Sequence, residues 1–554
     1  MSVNTDVDII DGYFGKYIYN QKEKEFFFKP LGKAVIIDKI TEQLETGDTK
    51  FKLSFKVGRR TKTIEVDRSM LTTRNITELL SKGIDSFDHS SEALVKTLQN
   101  QEEETPISFE HKGIGWYKHL DQLVFRGIKL LGGEEKKITS IYTGQLDITP
   151  KGDYKVWYQM VIDLVMGKVE LEFSIITGLS ATVNSYLGDK LGNESLFVHL
   201  YGDSSTGKTT AGELCISVAG NPSLSTDGLM QNWSSTDNFL MGLLRDNKGY
   251  PVLLDESSMS KRGEFSSMIY TLSSGKEKGR MNKDLTIKES ANWNTTIIST
   301  GEHSLQQKSN RNTGLKVRVF EFGNVNWTDS AEQADAIKEC VRNNYGFAIL
   351  ILAKYLIRQD REAIYQRYDY YKEKYINALP SVDGFSKRIA NKMAVFLLTA
   401  ELASKALKLD FDIDGILNLL IEQQDESMEN RDIATEAYRY ILEQVNVHAN
   451  KFNKEYKHGG NAEDSEFVPK GEIWGVISSN KAKEKEINII PIAFEKLLSE
   501  GGFSEPKIIL KKWKERGWLD FEDGRLTRKR KITKSAVRPI PVYVIKVIDE
   551  KDAN

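Results

Sequence analysis

One glycine-rich segment has the residue types and the spacing needed to hold a triphosphate. It matches G-x-x-x-x-G-K-[ST] at every fixed position and follows an apolar run at 196–200 that is typical of a buried strand. The glycines allow successive backbone N–H groups to turn inward, and a helix predicted over 208–218 points its positive end at the same place. We expect the following residues to bind ATP: Gly202, Asp203, Ser204, Ser205, Thr206, Gly207, Lys208, Thr209 and Thr210.

Within this loop, Lys208 is expected to reach the β- and γ-phosphates, and Thr209 to offer its hydroxyl to Mg²⁺. Two consecutive carboxylates, Asp255 and Glu256, end the apolar run 251–254. A buried strand of the same sheet would bring Asp255 to Mg²⁺, and Glu256 to the water that attacks the phosphorus. Carboxylates often follow strands without any chemical role, but a complete phosphate loop favours the catalytic interpretation.

A second β-rich run, 293–300, ends in hydroxyl residues. In phosphate-loop machines, a polar residue on the strand between the two motif strands contacts the γ-phosphate or the water. Thr300 or Ser299 fits that position. An ordinary polar strand end is nearly as good an interpretation from this run alone.

Two arginines are candidates for stabilising the charge that develops during phosphoryl transfer. Arg318 lies in a predicted alternating strand, 315–320, and could reach a neighbour's γ-phosphate if subunits form a ring. Arg388 begins the amphipathic stretch 385–407 and could act as a second sensor of the γ-phosphate. For either arginine taken alone, a surface salt bridge is the commoner role.

Two basic segments could contact nucleic acid. Glycines and an Asn-Lys-Asp turn in 275–288 indicate a β-hairpin with basic residues near its tip, although composition alone favours a solvated loop. Between 505 and 546 the chain has thirteen Lys and Arg against five Asp and Glu, within a chain of net charge −2. The candidate DNA contacts are Lys276, Lys278, Arg280 and Lys283 in the hairpin, and Lys507, Lys511, Lys514, Arg528, Lys529 and Arg530 in the C-terminal segment.

The order of predicted elements divides the 554 residues into five parts. We expect a mixed, mostly β N-terminal domain (1–150), an α/β phosphate-loop core with a parallel sheet (151–328) and a helical lid or bundle (329–452). A polar linker (453–467) would lead to a helix–helix–hairpin segment typical of a winged helix (468–554), which favours duplex DNA about two to one over a protein partner.

Composition excludes several classes of protein. Hydrophobic residues make up 40% and charged residues 28%, as in ordinary globular chains. Two cysteines, Cys215 and Cys340, cannot form a disulfide framework or a tetrathiolate zinc site. The chain starts without a signal pattern and contains no apolar stretch of membrane-spanning length, so we expect a cytoplasmic protein with no membrane partner.

Together these motifs resemble a family of phosphate-loop helicases encoded by phages and mobile elements, within the MCM-like, superfamily-three-like branch of AAA+ ATPases. The resemblance covers roughly 155–410. It rests on HLYGDSSTGKTT (199–210), the Trp233, Thr236 and Asn238 segment, LLDESS (253–258), Tyr270 with Gly275-Lys276 and Gly279-Arg280, Trp293 with ISTGE (298–302), and GLKVR (314–318). The layout is most similar to the self-loading replicative helicases of staphylococcal cassette chromosomes.

This resemblance implies an AAA+ core with a helical lid and a C-terminal winged helix. It also implies ATP-driven translocation and DNA unwinding by a homo-hexamer, 3′ to 5′, with other replication proteins of the same element as partners. The family roles map onto Lys208, Thr209, Asp255, Glu256, Thr300 and Arg318, with Lys283 on a pore hairpin. The resemblance does not extend to the first 150 residues, which show no primase-like carboxylate cluster, so a fusion of primase and helicase is not expected.

Two other classes of function remain open from the residues alone. An AAA+ initiator that binds an origin and recruits another motor would share the ATPase and the winged helix but need no pore lysine. A phosphate-loop kinase for a small molecule would be a monomer without DNA stimulation, and the predicted lid and winged helix make it the weaker alternative.

Overall fold

The computed structural model describes most of the chain. The described residues are 6–119, 121–132, 139–259, 265–277, 279–281, 287–288, 290–306, 315, 317–380, 382, 384–429, 433–456, 465–467, 471–479, 485–503, 506–533 and 537–548. Among the helices in these ranges, none combines the length and the apolar character that crossing a membrane would require.

The strands are, in chain order, β1 Val7–Ile10, β2 Tyr13–Asn20, β3 Glu25–Lys33, β4 Val35–Gln43, β5 Thr49–Val57, β6 Arg60–Asp67, β7 Ile107–His111, β8 Ile114–His119, β9 Gln122–Arg126, β10 Leu130–Leu131, β11 Ser140–Tyr142, β12 Leu196–Tyr201, β13 Met230–Asn232, β14 Asn247–Lys248, β15 Val252–Asp255, β16 Arg280–Met281, β17 Ile287–Lys288, β18 Thr296–Gly301, β19 Phe320–Phe322, β20 Phe452–Tyr456, β21 Ser465–Phe467, β22 Gly475–Ser479, β23 Lys485–Ile489, β24 Leu519–Asp520, β25 Arg528–Arg530 and β26 Ile540–Lys546.

The α-helices are α1 Ser91–Glu104, α2 Tyr154–Leu164, α3 Val169–Tyr186, α4 Gly188–Leu191, α5 Lys208–Ser217, α6 Asp237–Leu244, α7 Ser266–Ser274, α8 Ala331–Asn343, α9 Ala348–Ile357, α10 Arg361–Ala378, α11 Gly384–Leu407, α12 Ile413–Glu429, α13 Ile433–Val447, α14 Pro491–Glu500 and α15 Pro506–Glu515. Short 3₁₀ helices cover Arg68–Met70, Ile76–Lys82, Ser257–Met259 and Ala449–Lys451.

The N-terminal region is built mainly from antiparallel strands. Strands β1, β2 and β3 form a small meander, and a larger sheet has the order β11-β7-β4-β5-β6. On β5 the alternation of apolar and polar residues turns Phe51, Leu53 and Phe55 inward, where Leu94 and Leu98 of α1 cover them. The mostly β character predicted from this alternation is confirmed.

A second N-terminal sheet, with the order β10-β9-β8-β14, joins the N-terminal strands to the residues after 150. Strand β8 pairs in parallel with β14, and the indole of Trp116 packs edge-on against Tyr186. The Nε1–H of Trp116 donates to the carbonyl of Thr182 at 3.0 Å. Strands β8–β10 therefore share a hydrophobic core with the helices that flank the central sheet.

The central sheet contains five parallel strands in the order β13-β15-β18-β12-β19, which confirms the predicted parallel sheet. Helices α3 and α5 pack against it, and α3 is buried over almost its whole length. Gly178 lets these helices approach closely, because a Cβ at that position would stand 1.8 Å from the carbonyl oxygen of Cys215.

The region after the central sheet is helical, as predicted, from α8 to α13. Helix α13, however, packs with the C-terminal elements, since Ala437, Tyr438 and Ile441 belong to the core formed by α14, α15 and β26. The segment predicted to be a polar linker, 453–467, differs in the structure. Strands β20 and β21 lie at its two ends and pair with each other, and β20 also pairs in parallel with β22.

The C-terminal elements surround one apolar cluster. Strands β21, β20, β22, β23, β26 and β24 form a sheet in that order, and β25 pairs with β26. Helix α15 turns Ile509, Leu510 and Trp513 inward. The indole Nε1–H of Trp513 donates to the carbonyl of Ala434 at 2.7 Å, which ties α15 to α13.

Candidate functional site

The glycine-rich loop connects the buried strand β12 to the first turn of α5. Its backbone enters the left-handed region at Gly207 (φ 83°) and at Ser205 (φ 69°). Gly207 is required for a second reason, because a Cβ there would lie 2.5 Å from the hydroxyl of Thr328. This backbone turns the start of α5 toward the loop, which makes the loop a suitable anion site.

The side chain of Lys208 bends back over this loop. Its Nζ donates to the carbonyl of Gly202 at 3.0 Å and to the carbonyl of Asp203 at 2.5 Å. Burial lowers the pKa of Lys208, and the nearby carboxylates of Glu256 and Glu302 oppose that shift. The ammonium therefore sits between main-chain oxygens and acidic side chains, at the mouth of the loop.

Three neighbouring strands bring the acidic pair and the predicted sensor to the same edge of the sheet. Strand β18 lies between β12 and β15, which is the position that the sequence predicts for the sensor strand. The hydroxyl of Thr300 donates to Oδ1 of Asp255 at 2.5 Å and accepts from the backbone N–H of Glu256 at 3.0 Å. One hydroxyl thus fixes both carboxylate residues.

The backbone of Glu256 adopts φ 59°, a left-handed conformation that is uncommon outside glycine and asparagine. Such conformations persist where surrounding contacts enforce them. Here the bond from Glu256 N–H to Thr300 helps to enforce it and turns the Glu256 side chain toward the loop.

These groups line a cleft of about 200 Å³. Its lining residues are Ser204, Ser205, Gly207, Lys208, Thr209, Thr210, Glu256, Thr300, Gly301, Glu302 and Lys338. The structure therefore brings the predicted loop, Glu256 and Thr300 around one space, with Asp255 bonded directly behind Thr300.

Three residues of the cleft were absent from the predicted site, namely Gly301, Glu302 and Lys338. Glu302 follows the sensor strand and accepts from the hydroxyl of Ser204 at 3.2 Å, while its N–H donates to Ser258. Its place two residues after Thr300 is a signal that sequence reasoning could have used. Lys338 comes from α8, far along the chain, and no local pattern marks it.

Ser299, the other sensor candidate, points away from the cleft into a buried network. Its hydroxyl lies 2.9 Å from Nδ1 of His199 and accepts from the indole N–H of Trp233 at 2.8 Å. Because neighbouring residues of a strand face opposite sides of the sheet, only one of the two hydroxyls can face the carboxylates. The structure selects Thr300 for that position.

The two arginines lie together in a different cavity. Arg318 and Arg388 line a space of about 400 Å³ with Lys190, Lys372, Lys392 and other residues, and neither lines the cleft at the phosphate loop. The predicted strand around Arg318 is wrong, since Arg318 lies in a turn before β19 and its N–H bonds back to Leu315. Its guanidinium stacks over Tyr270, 4.6 Å from the ring centroid.

Within the segment predicted to be a basic hairpin, β16 and β17 pair antiparallel, with Arg280 and Lys288 as partners in the register, and the turn between them lies outside the described residues. Lys276 forms an isolated bridge with Asn292 just before it. Two further predicted DNA contacts, Lys278 and Lys283, lie outside the described residues.

In the C-terminal segment, Lys507, Lys511 and Lys514 are exposed on the face of α15 opposite its buried residues. Lys529 is also exposed. Arg528 is instead held by Asp520, whose Oδ1 accepts from Nη2 at 2.6 Å, and this pairing raises the pKa of Arg528.

The buried hydrogen bonds of Ser299 predict that the adjacent hydroxyls of Ser299 and Thr300 contribute differently to stability. Replacing Ser299 with Ala leaves the buried N–H of Trp233 without this acceptor, and we expect a loss of about 1–3 kcal/mol in unfolding free energy. Thr300→Ser, which keeps a hydroxyl at the other face and loses only one buried methyl group, is the comparison variant and should be destabilised less than Ser299→Ala. Thermal unfolding followed by tryptophan fluorescence measures both. Equal midpoints for Ser299→Ala and wild type would contradict the prediction.

Known proteins are similar to this chain over nearly its whole length and, separately, over its C-terminal part. No curated protein matches. Among solved structures, the fold is similar to one described as "SCCmec type IV Cch - active helicase", with a TM-score of 0.75 and 25% identity over 98% of this chain and 97% of that one. Residues 432–550 match the model of the Cch helix turn helix domain, a match that begins at α13.

The model described as "Domain of unknown function (DUF927)" matches residues 11–292, slightly more than half of the chain. That range includes the second N-terminal sheet, the phosphate loop and the acidic pair. The resemblance to helicases of mobile elements that the motifs indicate is confirmed by these matches and by the similarity to Cch. The chain belongs to the DUF927 family.

Proposed function

We propose that this protein is an ATP-dependent replicative DNA helicase of a mobile element or phage, a ring-forming AAA+ motor that moves 3′ to 5′ on DNA. The observation that carries the proposal is the Thr300 hydroxyl, which holds Asp255 and Glu256 beside a complete phosphate loop. Likeness over nearly the whole chain to a structure described as an active helicase supports the same conclusion.

The sheet order supports an AAA+ core within this proposal. The strand that leads into the phosphate loop, β12, lies between β18 and the late strand β19, and β15 lies on the far side of β18. Helices α8–α12 would form the lid. The segment from α13 onward would form a C-terminal winged helix, consistent with the match to a helix turn helix domain.

In this proposal five side chains in and behind the cleft carry the chemistry of ATP hydrolysis. Lys208 binds the β- and γ-phosphates, and Thr209 and Asp255 hold Mg²⁺. Glu256 accepts the proton of the attacking water. The hydroxyl of Thr300 orients Glu256 by accepting from the Glu256 N–H, and the same hydroxyl donates to Asp255. Bound Mg-ATP supplies the γ-phosphoryl group, and its metal neutralises charge on the phosphate oxygens.

The two arginines would act on the nucleotide of a neighbouring subunit. Arg318 and Arg388 share a basic cavity that is separate from their own chain's phosphate loop. A homo-hexameric ring would bring this cavity to the neighbour's cleft, where guanidinium groups stabilise the charge of the transition state. This arrangement supports Arg318 as the finger and Arg388 as the second sensor.

DNA would be bound at two places. The hairpin with Lys276, Lys278, Arg280 and Lys283 would line the pore of the ring and follow single-stranded DNA, with Lys283 as the main phosphate contact. The exposed lysines of α15, together with Lys529 and Arg530, would contact duplex DNA. The paired Arg528 has a structural role in addition to any contact. The protein would act in the cytoplasm with other replication proteins of its element.

An origin-binding initiator that recruits another motor is the second candidate, because the helix turn helix match is equally suited to it. Strand displacement by the purified wild-type protein on forked DNA separates the two. A motor displaces the strand alone, and an initiator does not.

Loss of the proposed base tests the hydrolytic site. Glu256→Gln should lower the ATP turnover rate by about 10²- to 10⁴-fold and stop strand displacement while ATP still binds, because the amide cannot accept the proton of the water. Lys208→Ala should lose ATP binding as well as ATP turnover. Glu65→Gln, an exposed change on β6, is the matched control and should leave both activities unchanged. Wild-type turnover in Glu256→Gln would remove Glu256 from the mechanism.

Mixing two inactive variants tests whether Arg318 acts between subunits. Arg318→Ala and Glu256→Gln should each be inactive alone. In mixed rings, some interfaces combine an intact Glu256 with an intact neighbouring Arg318, so part of the ATPase activity should return. Titrating one variant into the other measures this recovery. A mixture as inactive as its components, at concentrations where light scattering shows rings, would contradict action from the neighbour.

Charge reversal on α15 tests the duplex contact. The triple change Lys507→Glu, Lys511→Glu, Lys514→Glu should weaken duplex binding and reduce the slope of log affinity against log salt by about three. Reversal of three exposed lysines elsewhere, Lys52, Lys56 and Lys82, is the control and should leave duplex binding unchanged. An unchanged salt slope in the α15 variant would show that this face does not bind DNA.

A further inference from the structure

The hairpin formed by β2 and β3 exposes several aromatic side chains in the N-terminal region. Phe26 is 69% exposed, Tyr19 48% and Phe27 47%. Single exposed apolar residues are normal on a protein surface, but a group of large rings on one hairpin indicates an interaction site. The packing of the N-terminal core does not account for them, because none of these three rings belongs to that core.

The register of the hairpin arranges four of the rings as two rungs on one face. Tyr17 is opposite Phe28 and Tyr19 is opposite Phe26, with ring centroids 5.8 Å and 5.1 Å apart. The hydroxyl of Tyr17 donates to Asp8, which anchors the inner rung to β1. Residues two apart on a strand are about 7 Å apart, so the rungs offer successive flat apolar surfaces along one line.

Lysines lie at the tip of this hairpin and on the face opposite the two rungs. Lys22 and Lys24 are exposed at the tip, beyond the outer rung. Lys16 and Lys29 are exposed partners in the register, and the alternation of side chains places both on the other face. Residues 13–33 contain five lysines and two glutamates, so the hairpin is basic as a whole.

We propose that the β2–β3 hairpin binds single-stranded DNA, with Tyr19 and Phe26 stacking on bases and Lys22 and Lys24 at the tip contacting phosphates. Aromatic rings beside lysines are the usual means of binding single strands, whose base faces are open, whereas the bases of a duplex are stacked on one another. This inference rests on the proposed helicase function and adds a contact outside the central ring.

The outer edge of β3 argues against a second copy of the chain as the occupant. Strand β3 is an edge strand of its three-stranded sheet, and Pro30 within it has no N–H to donate to another strand. Exposed Lys29 beside Pro30 opposes edge-to-edge pairing further. The charge of the hairpin matches a phosphate backbone instead.

Affinity for an oligonucleotide tests the stacking. The full-length double variant Tyr19→Ala, Phe26→Ala should bind fluorescein-labelled oligo-dT at least about five-fold more weakly in anisotropy titrations. Duplex binding and DNA-free ATPase activity should stay at wild-type levels. Phe87→Ala is the matched control, since Phe87 is 44% exposed in the same region and stacks on His89. It should bind oligo-dT like the wild type.

Two further readouts locate the contact directly. An oligo-dT carrying 5-iododeoxyuridine should crosslink under light to peptides within 17–29, and the double variant should lose that crosslink. Lys22→Gln with Lys24→Gln should reduce the salt slope for oligo-dT by about 1.4, the value for two phosphate contacts on a single strand.

Unchanged oligo-dT affinity in the double variant, with crosslinks only outside 13–33, would overturn the proposal. A change in oligomeric mass by light scattering in that variant would assign the face to a second copy and would also overturn it. The helicase proposal is tested separately. If the wild type crosslinks through the hairpin but displaces no strand, the helicase proposal fails and the hairpin contact stands. If the wild type unwinds DNA but gives no crosslink at the hairpin, the hairpin contact fails and the helicase proposal stands.

Discussion

The hydroxyl of Thr300 is the interaction on which the candidate site depends. It donates to Asp255 and accepts from the N–H of Glu256, so one oxygen connects β18 to the end of β15. A hydroxyl can do this because it both donates and accepts, which neither a carboxylate nor an amide N–H can do. The left-handed backbone of Glu256 is supported by this bond and gives its carboxylate access to the cleft.

The surrounding fold holds that oxygen in position through burial. Strand β18 is buried along its length, and on the face away from the cleft Ser299 is bonded to His199 and Trp233. Helix α3 packs behind the sheet, and strands β8–β10 attach to the same core through Trp116 and the β8–β14 pairing. Strands β8–β10 and the central sheet are therefore packed around one continuous hydrophobic core.

Much of this arrangement could be predicted from the sequence, because it is encoded in short contiguous patterns. The phosphate loop, the acidic pair and the sensor strand each follow an apolar run, and parallel strands bring their carboxyl ends to one edge. Lys338 could not be found in this way, since only tertiary packing of α8 brings it to the cleft.

The prediction of a strand around Arg318 was wrong because alternation over six residues also fits a turn followed by a short strand. Only the pairing of β19 with β12 decides between the two. The segment 453–467 looked polar, yet backbone pairing with β22, which polarity does not report, makes its start a strand.

The hydrogen bonds of Lys208 have a consequence for how tightly the proposed ATPase would hold its nucleotide. Its ammonium already has acceptors in the carbonyls of Gly202 and Asp203, and it is not a bare charge waiting in water. An incoming phosphate therefore exchanges with main-chain oxygens and gains only the difference between the two sets of partners. In the proposed ATPase, the same carbonyls would take the ammonium back when product leaves. The lysine would therefore contribute less to nucleotide affinity than a lysine free in water, which favours release of product over its tight retention.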